Sequence, residues 1–473
     1  MTTPFPITPE KLDTHRKALA INLDQRRYGT FAEIGAGQEV ARWFFKVGWA
    51  AGTIAKTISA YDMTVSDAIY GKADRYVSRT RLQSMLDNEY NLNIERLRDK
   101  RGEDTCFFSF ADTVAARGYK STSEGHGWMG VKFQSQPNDE FSQIILHVRM
   151  LDEDNQAQQE ALGMVGVNLL YAAFFLHHEP KLLIESLIDS LNINRIEIDM
   201  IEFSGIEFRH VDNRLMSLKL VQLGLSKAAM FGPTGAVLQP SEVLYKKAIL
   251  VERGSFRPVC NVNIDMLRAA HEVFSNDPEV QGDQILQIAE LSMRNLIAGD
   301  GNIDTRDFLA RADLLCANGM TVLISDYFEY YRLRAYLNMF TKQKIGIVMG
   351  IPSLLDIFDP KYYVDLEGGI LESFGRLFKN NVKLYIYPYA DPLSKIFLTT
   401  ENAPISPETQ KLYDYLIERD CIHQLTNHNP DCLHIFSRDI LKRIKAKDKA
   451  WEAMVPPQVA DLIKSRRYFG YQE

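Results

Sequence analysis

The rhythm of apolar and polar positions changes several times along this chain, and each change marks a different kind of element. Residues 9–27 and 38–48 read as helices and precede a strand-like run at 53–61, TIAKTISAY. A charged helix is predicted over residues 79–100. From Cys106 the pattern becomes strand-like. CFFSFADTVAARG, GWMGVKFQ and FSQIILHVRML are short β-rich runs separated by turn residues, as in an antiparallel meander, and helices are predicted over 156–191.

After RIEIDMIEF at 195–203, strand and helix alternate: KKAILVE, a helix from Ile264, TVLISDY, a helix through Tyr330, KIGIVMG, another short helix, and VKLYIYP. Apolar runs of this length alternating with helices belong to a parallel sheet covered on both faces. The expected fold class is therefore α/β, with a mixed α+β domain over residues 1–210 followed by a Rossmann-like domain over 211–473. The tail from Pro404 reads as mostly helical.

Composition narrows the function classes. A chain of 473 residues, 46% hydrophobic, has enough apolar material for two cores, and 24% charged residues is ordinary for a globular protein. The net charge of -7 argues against a general phosphate-backbone binder, so nucleic acid is not an expected partner. The most apolar stretch, 162–176, is shorter than the roughly 20 residues a membrane span requires and is interrupted by Asn168, so no membrane association is expected. Five scattered cysteines and an opening segment without a secretory pattern point to a reducing, cytoplasmic setting.

The stretch richest in candidate chemistry is VERGSFRPVCNVNIDMLR at 251–268. A strand ends at a turn containing Gly254, and a helix with Ile264, Leu267 and Ala270 on one face follows. In open α/β sheets ligands sit beyond the carboxyl ends of strands, where free amides of the next helix can hold an anion. Gly254 permits close backbone approach, Ser255 offers a hydroxyl, and Arg253 and Arg257 supply two guanidiniums. The alternative is a solvated loop whose arginines pair with Glu252 and Asp265.

Gly254-Ser255-Phe256-Arg257-Pro258, between an apolar strand and a helix, resembles the first nucleotide-binding turn of nicotinate-nucleotide and nicotinamide-mononucleotide adenylyltransferases, which reads G-S-F-[DN]-P followed by [HT]-x-G-H. MVPPQVADLIKSRRYFG, at 454–470, is similar to the V-P-x-x-V-x-x-Y-I closing helix of that family. The resemblance implies adenylyl transfer from ATP to nicotinate or nicotinamide mononucleotide, a step of NAD biosynthesis, with Mg2+ neutralising the triphosphate. In that reading Gly254, Ser255 and Phe256 form the turn, Arg253 and Arg257 hold phosphates, and Asn263 takes the place of a catalytic histidine. The chain departs from the family at Cys260-Asn261-Val262-Asn263, where neither expected imidazole is present; an Asn amide can donate a hydrogen bond but brings no charge. Ile405 to Lys411 matches the family's I-S-x-T-x-x-R motif loosely and reads as a helix start, with Ser406 as cap and Pro407 in the first turn. YGTFAEIGAGQEVARWFF is similar to the opening phrase of a family of large uncharacterised bacterial proteins, which suggests that the two parts travel together.

Other constellations have structural alternatives. Gly35-Ala36-Gly37 before a helix, with Asp62 after the next strand, resembles half of a dinucleotide-binding fingerprint, but Val40 occupies the third glycine's place. Asp62 and Asp67 read first as residues that cap or charge a short helix, and second as a metal site or general base. His126, between glycines, is better placed to reach a ligand than His147, which lies in an apolar strand. Cys421, His423, His428, Cys432 and His434 lack the tight pairs of structural zinc sites, so no metal site is expected there. DYFEYYRLRAYLNMF at 326–340 reads as a helix with one face in the core.

Three functions stay open. The first is binding of a nucleotide or phosphorylated metabolite, extending to adenylyl transfer. The second is a non-catalytic nucleotide-binding regulatory protein whose other domain supplies homo-oligomer or partner contacts. The third is an unrelated enzyme centred on Asp62, Asp67 and His126.

Overall fold

The computed structural model describes residues 11–118, 125–297, 301–379, 382–390 and 396–472. The chain divides into two compact units, Met1–Ser226 and Lys227–Glu473. This division falls beyond residue 210 because the helix Asn213–Gln222 belongs to the first unit. The Asn213 amide brackets the backbone of Phe203, accepting from its N–H at 2.8 Å and donating to its carbonyl at 3.0 Å.

The first unit is built on six strands: β1 (Arg27–Gly35), β2 (Ile54–Ile58), β3 (Cys106–Ala115), β4 (Gly125–Phe133), β5 (Ser142–Met150) and β6 (Ile196–Gly205), in the order β2-β1-β3-β4-β5-β6. The run β3 to β6 is the antiparallel meander that alternation predicts. β1 is the departure: RYGTFAEIG sits inside the sheet, parallel to both β2 and β3. It is buried almost throughout, which removes the inside/outside alternation that would have announced a strand.

On one sheet face Phe31, Phe110, Met129, Leu146 and Ile198 meet helices Thr14–Leu23, Val40–Val47 and Asn155–Phe175 in a single apolar core. Helix Arg79–Arg101 covers the other, where Asn93 accepts from Thr30 Oγ1 at 3.0 Å and Ser109 Oγ donates to the Leu86 carbonyl at 2.9 Å. Asn168, the polar break in the most apolar helix, accepts from buried Lys17 Nζ at 2.9 Å and donates to the Leu187 and Asp189 carbonyls. Among the described residues no helix is long and apolar enough to cross a membrane.

The second unit contains β7 (Ala228–Phe231), β8 (Val237–Leu238), β9 (Ala248–Arg253), β10 (Ile285–Ser292), β11 (Thr321–Ser325), β12 (Ile345–Gly350), β13 (Val382–Tyr387), a small pair β14 (Tyr389–Ala390) and β15 (Phe397–Leu398), and β16 (Ile422–Gln424). Its main sheet runs β16-β13-β12-β9-β10-β11-β7-β8, and β9 to β13 with β16 are parallel. From β9 the chain adds β10 and β11 on one side, then returns to place β12, β13 and β16 on the other. This is the doubly wound order 3-2-1-4-5-6 of dinucleotide-type folds, with its topological switch point between β9 and β12. The α/β class and Rossmann-like second unit are thus the observed architecture.

A buried acid pair lies beneath the helix Val40–Val47. Glu33 on β1 stands beside Asp112 on β3, and the Glu33 carboxyl accepts from the amides of Val40 at 2.8 Å and Ala41 at 3.1 Å. Asp112 is fully buried, and neither of its carboxyl oxygens has a hydrogen-bond partner among the described residues. Burial pushes the Glu33 carboxyl up to about 7; burial, then the neighbouring Glu33, holds Asp112 well above the usual carboxylate range. A raised acid favours the fold only while protonated, so the contribution is complete below about pH 4 and is lost as pH rises through the folded values. Asp112→Asn keeps the shape without a charge to bury. It is expected to flatten the fall in stability of the N-terminal unit that sets in above about pH 4, with a gain of about 1–3 kcal/mol at the alkaline end, measured from urea midpoints. An equally steep fall in the variant would show that Asp112 is not the titrating group.

Candidate functional site

The carboxyl ends of β9, β10, β11 and β12 surround a cleft of about 370 Å³, within the usual range for small-molecule sites. The end of β9 and the turn after it contribute Arg253, Gly254 and Ser255, and the end of β10 and the turn after it contribute Ser292, Arg294 and Asn295. Phe328, Glu329 and Tyr330 come from the loop after β11; Ser353, Asp356 and Ile357 come from the segment after β12, with Tyr362 and Tyr363 closing the wall.

Arg253 organises these ends. Its Nε and Nη2 donate to the two carboxylate oxygens of Glu290 at 2.7 and 2.8 Å, and Nη2 also donates to the Tyr327 carbonyl at 2.8 Å. Nη1 donates to the Phe328 carbonyl at 2.5 Å, and the guanidinium lies 4.4 Å from the centre of the Tyr330 ring. Glu290 is fully buried and also accepts from Ser325 Oγ. Burial works against the charge on Arg253, but Glu290 more than offsets it and raises the pKa above the ordinary arginine value. In dinucleotide-binding folds an acid about 20 residues past the glycine turn takes the ribose hydroxyls. Here the acid at the end of the second strand is Glu290, and Arg253 and Ser325 occupy it.

The turn after β9 is fixed from below. Phe256 is buried with a φ of 44°, and a Cβ on Gly254 would lie 3.0 Å from its ring, a tight contact that glycine avoids. Asn295 donates to the Gly254 carbonyl at 3.3 Å, and Arg311 donates to the carbonyls of Ser255 at 3.1 Å and Asn295 at 2.8 Å. Phe256 therefore supports the turn from the core, while Gly254 and Ser255 face the cleft.

Arg257 and Asn263 are placed elsewhere. Arg257 Nε donates to Asp307 Oδ1 at 2.6 Å, and Arg257 does not line the cleft. Asn263 accepts from the Cys260 amide at 3.1 Å and donates to Glu252 Oε1 at 2.6 Å, closing the capping box of helix Asn261–Ser275. That helix contributes no lining residue. Burial pushes the Glu252 carboxyl up to about 8. Of the six residues singled out from the sequence, the cleft gathers Arg253, Gly254 and Ser255, and excludes Phe256, Arg257 and Asn263.

The exposed cation of the cleft is Arg294, which makes no ion pair among the described residues. Its guanidinium lies 4.5 Å from the centre of the Phe328 ring, which in turn meets Tyr362 edge-on at 5.6 Å. Arg294 was legible only as the residue after a strand end whose Ser292 caps a short turn; ILQIAELS, interrupted by Gln287 and Glu290, did not read as a strand.

Other candidates resolve locally. Asp62 caps helix Met63–Tyr70, accepting from the amides of Thr64 and Val65, and Asp67 pairs with Arg81 at 2.6 Å and accepts from Tyr76 at 3.1 Å. A Cβ on Gly37 would lie 2.0 Å from Asp112 Oδ1, so an internal acid occupies the approach that a phosphate would need at the Gly35-Ala36-Gly37 turn. His423 contacts Asp420 at 3.2 Å, and the described His, Cys and acid side chains that converge within 4.8 Å are His177, His178 and Glu207 instead of the 421–434 set.

No protein-family model and no curated protein matches this chain. Solved structures similar to part of it include the competence/damage inducible protein CihA from Agrobacterium tumefaciens, at 18% identity over 36% of this chain and 98% of that one, with a TM-score of 0.26. A CinA superfamily protein from Klebsiella pneumoniae is similar at 17% identity over 34% of this chain and 96% of its own, with a TM-score of 0.26. A third, the CinA superfamily protein from Enterobacter cloacae, shares 15% identity over 37% of this chain and 98% of that one, with a TM-score of 0.25.

The Arg253–Glu290 pair yields a direct test. Arg253→Ala leaves a buried carboxylate without its counter-charge and is expected to destabilise the C-terminal unit by about 3–5 kcal/mol in urea unfolding of the full chain. Arg257→Ala, which loses one half-exposed pair, is expected to cost less than about 1 kcal/mol. Equal effects would contradict the assignment of Arg253 as the residue that holds the strand ends together.

Proposed function

We propose that the C-terminal unit binds a mononucleotide or similar phosphorylated metabolite in the cleft over β9 to β12. One observation carries this reading: the cleft lies at the topological switch point, with a glycine-containing turn and, on its rim, a guanidinium that makes no ion pair among the described residues. The Gly254–Ser255 backbone and Arg294 suit the phosphate, the first by close approach and the second by charge. Phe328 and Tyr362 offer aromatic surface for a base. Asp356 makes no ion pair among the described residues and suits either a ribose hydroxyl or a Mg2+ that arrives with ATP phosphates.

Adenylyl transfer from ATP to nicotinate or nicotinamide mononucleotide is the finer reading, supported by the GSFRP turn. The geometry favours binding over transfer. Asn263, the counterpart of the family's histidine, has its amide engaged with Cys260 and Glu252, and Arg257 is engaged with Asp307. Neither is presented to a triphosphate in the cleft.

Calorimetry of the purified chain with ATP or AMP, with and without Mg2+, checks both levels. Saturable binding is expected, weakened at least about tenfold by Arg294→Ala and changed less than about twofold by Arg257→Ala. Pyrophosphate release with ATP, Mg2+ and the mononucleotide is expected to stay at the blank rate. Turnover above the blank would establish the transferase reading, and absence of any binding heat or thermal shift would remove both.

A further inference from the structure

The first unit carries a chain of titratable side chains that the cleft does not use. β4 and β5 pair with Trp128 opposite His147 and His126 opposite Arg149. In β6 the register slips, since His147 faces Met200 and Val148 faces Ile198, which leaves Asp199 as the extra residue of a β-bulge. Bulges redirect a side chain, and this one brings Asp199 Oδ1 within 2.6 Å of His147 Nδ1. On the other side of that ring, His147 Nε2 lies 3.2 Å from His126 Nδ1. His147 and Asp199 are buried, the Trp128 ring lies edge-on to His147 at 4.9 Å, and His126 is half-buried.

The order of these atoms fixes where the protons sit. An ionised carboxylate accepts only, so Asp199 selects the His147 tautomer that carries its proton on Nδ1. His147 Nε2 is then an acceptor and selects the proton on His126 Nδ1. The lone pair of His126 is left on Nε2, the one ring nitrogen of the chain not engaged in it. Burial, then His147, pushes the His126 imidazole down to about 4; Asp199 opposes this, while Arg149 and Arg75 add to it. Arg149 is itself paired with Glu197 at 2.5 Å.

We infer that His126 Nε2 is a built proton-acceptor position, serving a small substrate with an acidic O–H or N–H, with His147 and Asp199 as positioning residues. As the substrate's O–H or N–H bond breaks, its electron pair stays on the substrate and the proton goes to Nε2. The imidazolium formed keeps its Nδ1–H on His147, and Asp199 stabilises that cation through the second ring.

Two measurements on the full-length protein test this. Two-bond proton–nitrogen correlation near neutral pH is expected to show His126 with Nδ1 protonated and Nε2 bare. Diethyl pyrocarbonate, which acylates only bare imidazole nitrogen, is expected to label His126 in the wild type. In Asp199→Asn the tautomer lock is lost, and the proton–nitrogen correlations of His126 are expected to change from the single Nδ1–H form to a mixture of the two tautomers. A wild-type His126 carrying its proton on Nε2 would overturn the proposal even if the variant fails to fold. An unchanged His126 tautomer in a folded Asp199→Asn would overturn it as well.

Discussion

The bidentate ion pair between Arg253 and Glu290 sets the geometry of the C-terminal unit's ligand edge. Glu290 ends its strand with no solvent to stabilise its charge, so it needs a counter-ion held in place by covalent structure. Arg253, at the end of the neighbouring strand, provides it, and its remaining N–H groups reach the carbonyls of Tyr327 and Phe328 in the loop after β11. One guanidinium therefore joins the ends of three consecutive parallel strands. The cleft is bounded by those ends, and its walls are fixed before any ligand arrives.

The same pair explains what this Rossmann-like order is not suited to do. The acid that would recognise a ribose in a dinucleotide site is spent on the arginine of the preceding strand. The polar groups that line the cleft include Ser255, Arg294 and Asp356, with the aromatic pair Phe328 and Tyr362 beside them. A ligand with one phosphate-bearing end and one flat end fits that distribution. A similar economy operates in the N-terminal unit, where the glycine turn after β1 is filled by Asp112 and the bulged strand β6 directs Asp199 to a histidine.

Much of the fold was legible because local pattern and final environment agree. The alternating runs of β3 to β5 became an antiparallel meander, and the apolar runs of β9, β11, β12 and β13 became a parallel sheet. β1 was hidden because burial on both faces erases alternation, and β10 because Gln287 and Glu290 interrupt its apolar run. At the site, the Gly254–Ser255 turn was visible from its residue types and its place after a strand. The tasks of Arg253, Arg257 and Asn263 were not, because each depends on its partner. Arg253 and Arg257 pair with Glu290 and Asp307, which are remote in sequence, while Asn263 joins Cys260 to a carboxyl that looked like a solvated loop acid and is buried. Arg294 carries no signal in the sequence for the converse reason: it has no ion-pair partner among the described residues to mark it and matters only through the cleft around it.

The central claim is that the strand ends tied by Arg253 form the ligand edge of the C-terminal unit. Hydrogen–deuterium exchange of the intact protein, with and without saturating ATP and Mg2+, tests it most directly. The account predicts slowed exchange in peptides covering Arg253 to Ser255, Ser292 to Asn295 and Phe328 to Tyr330, with little change in the helix Asn261–Ser275. Protection confined to that helix, or to the N-terminal unit, would contradict it.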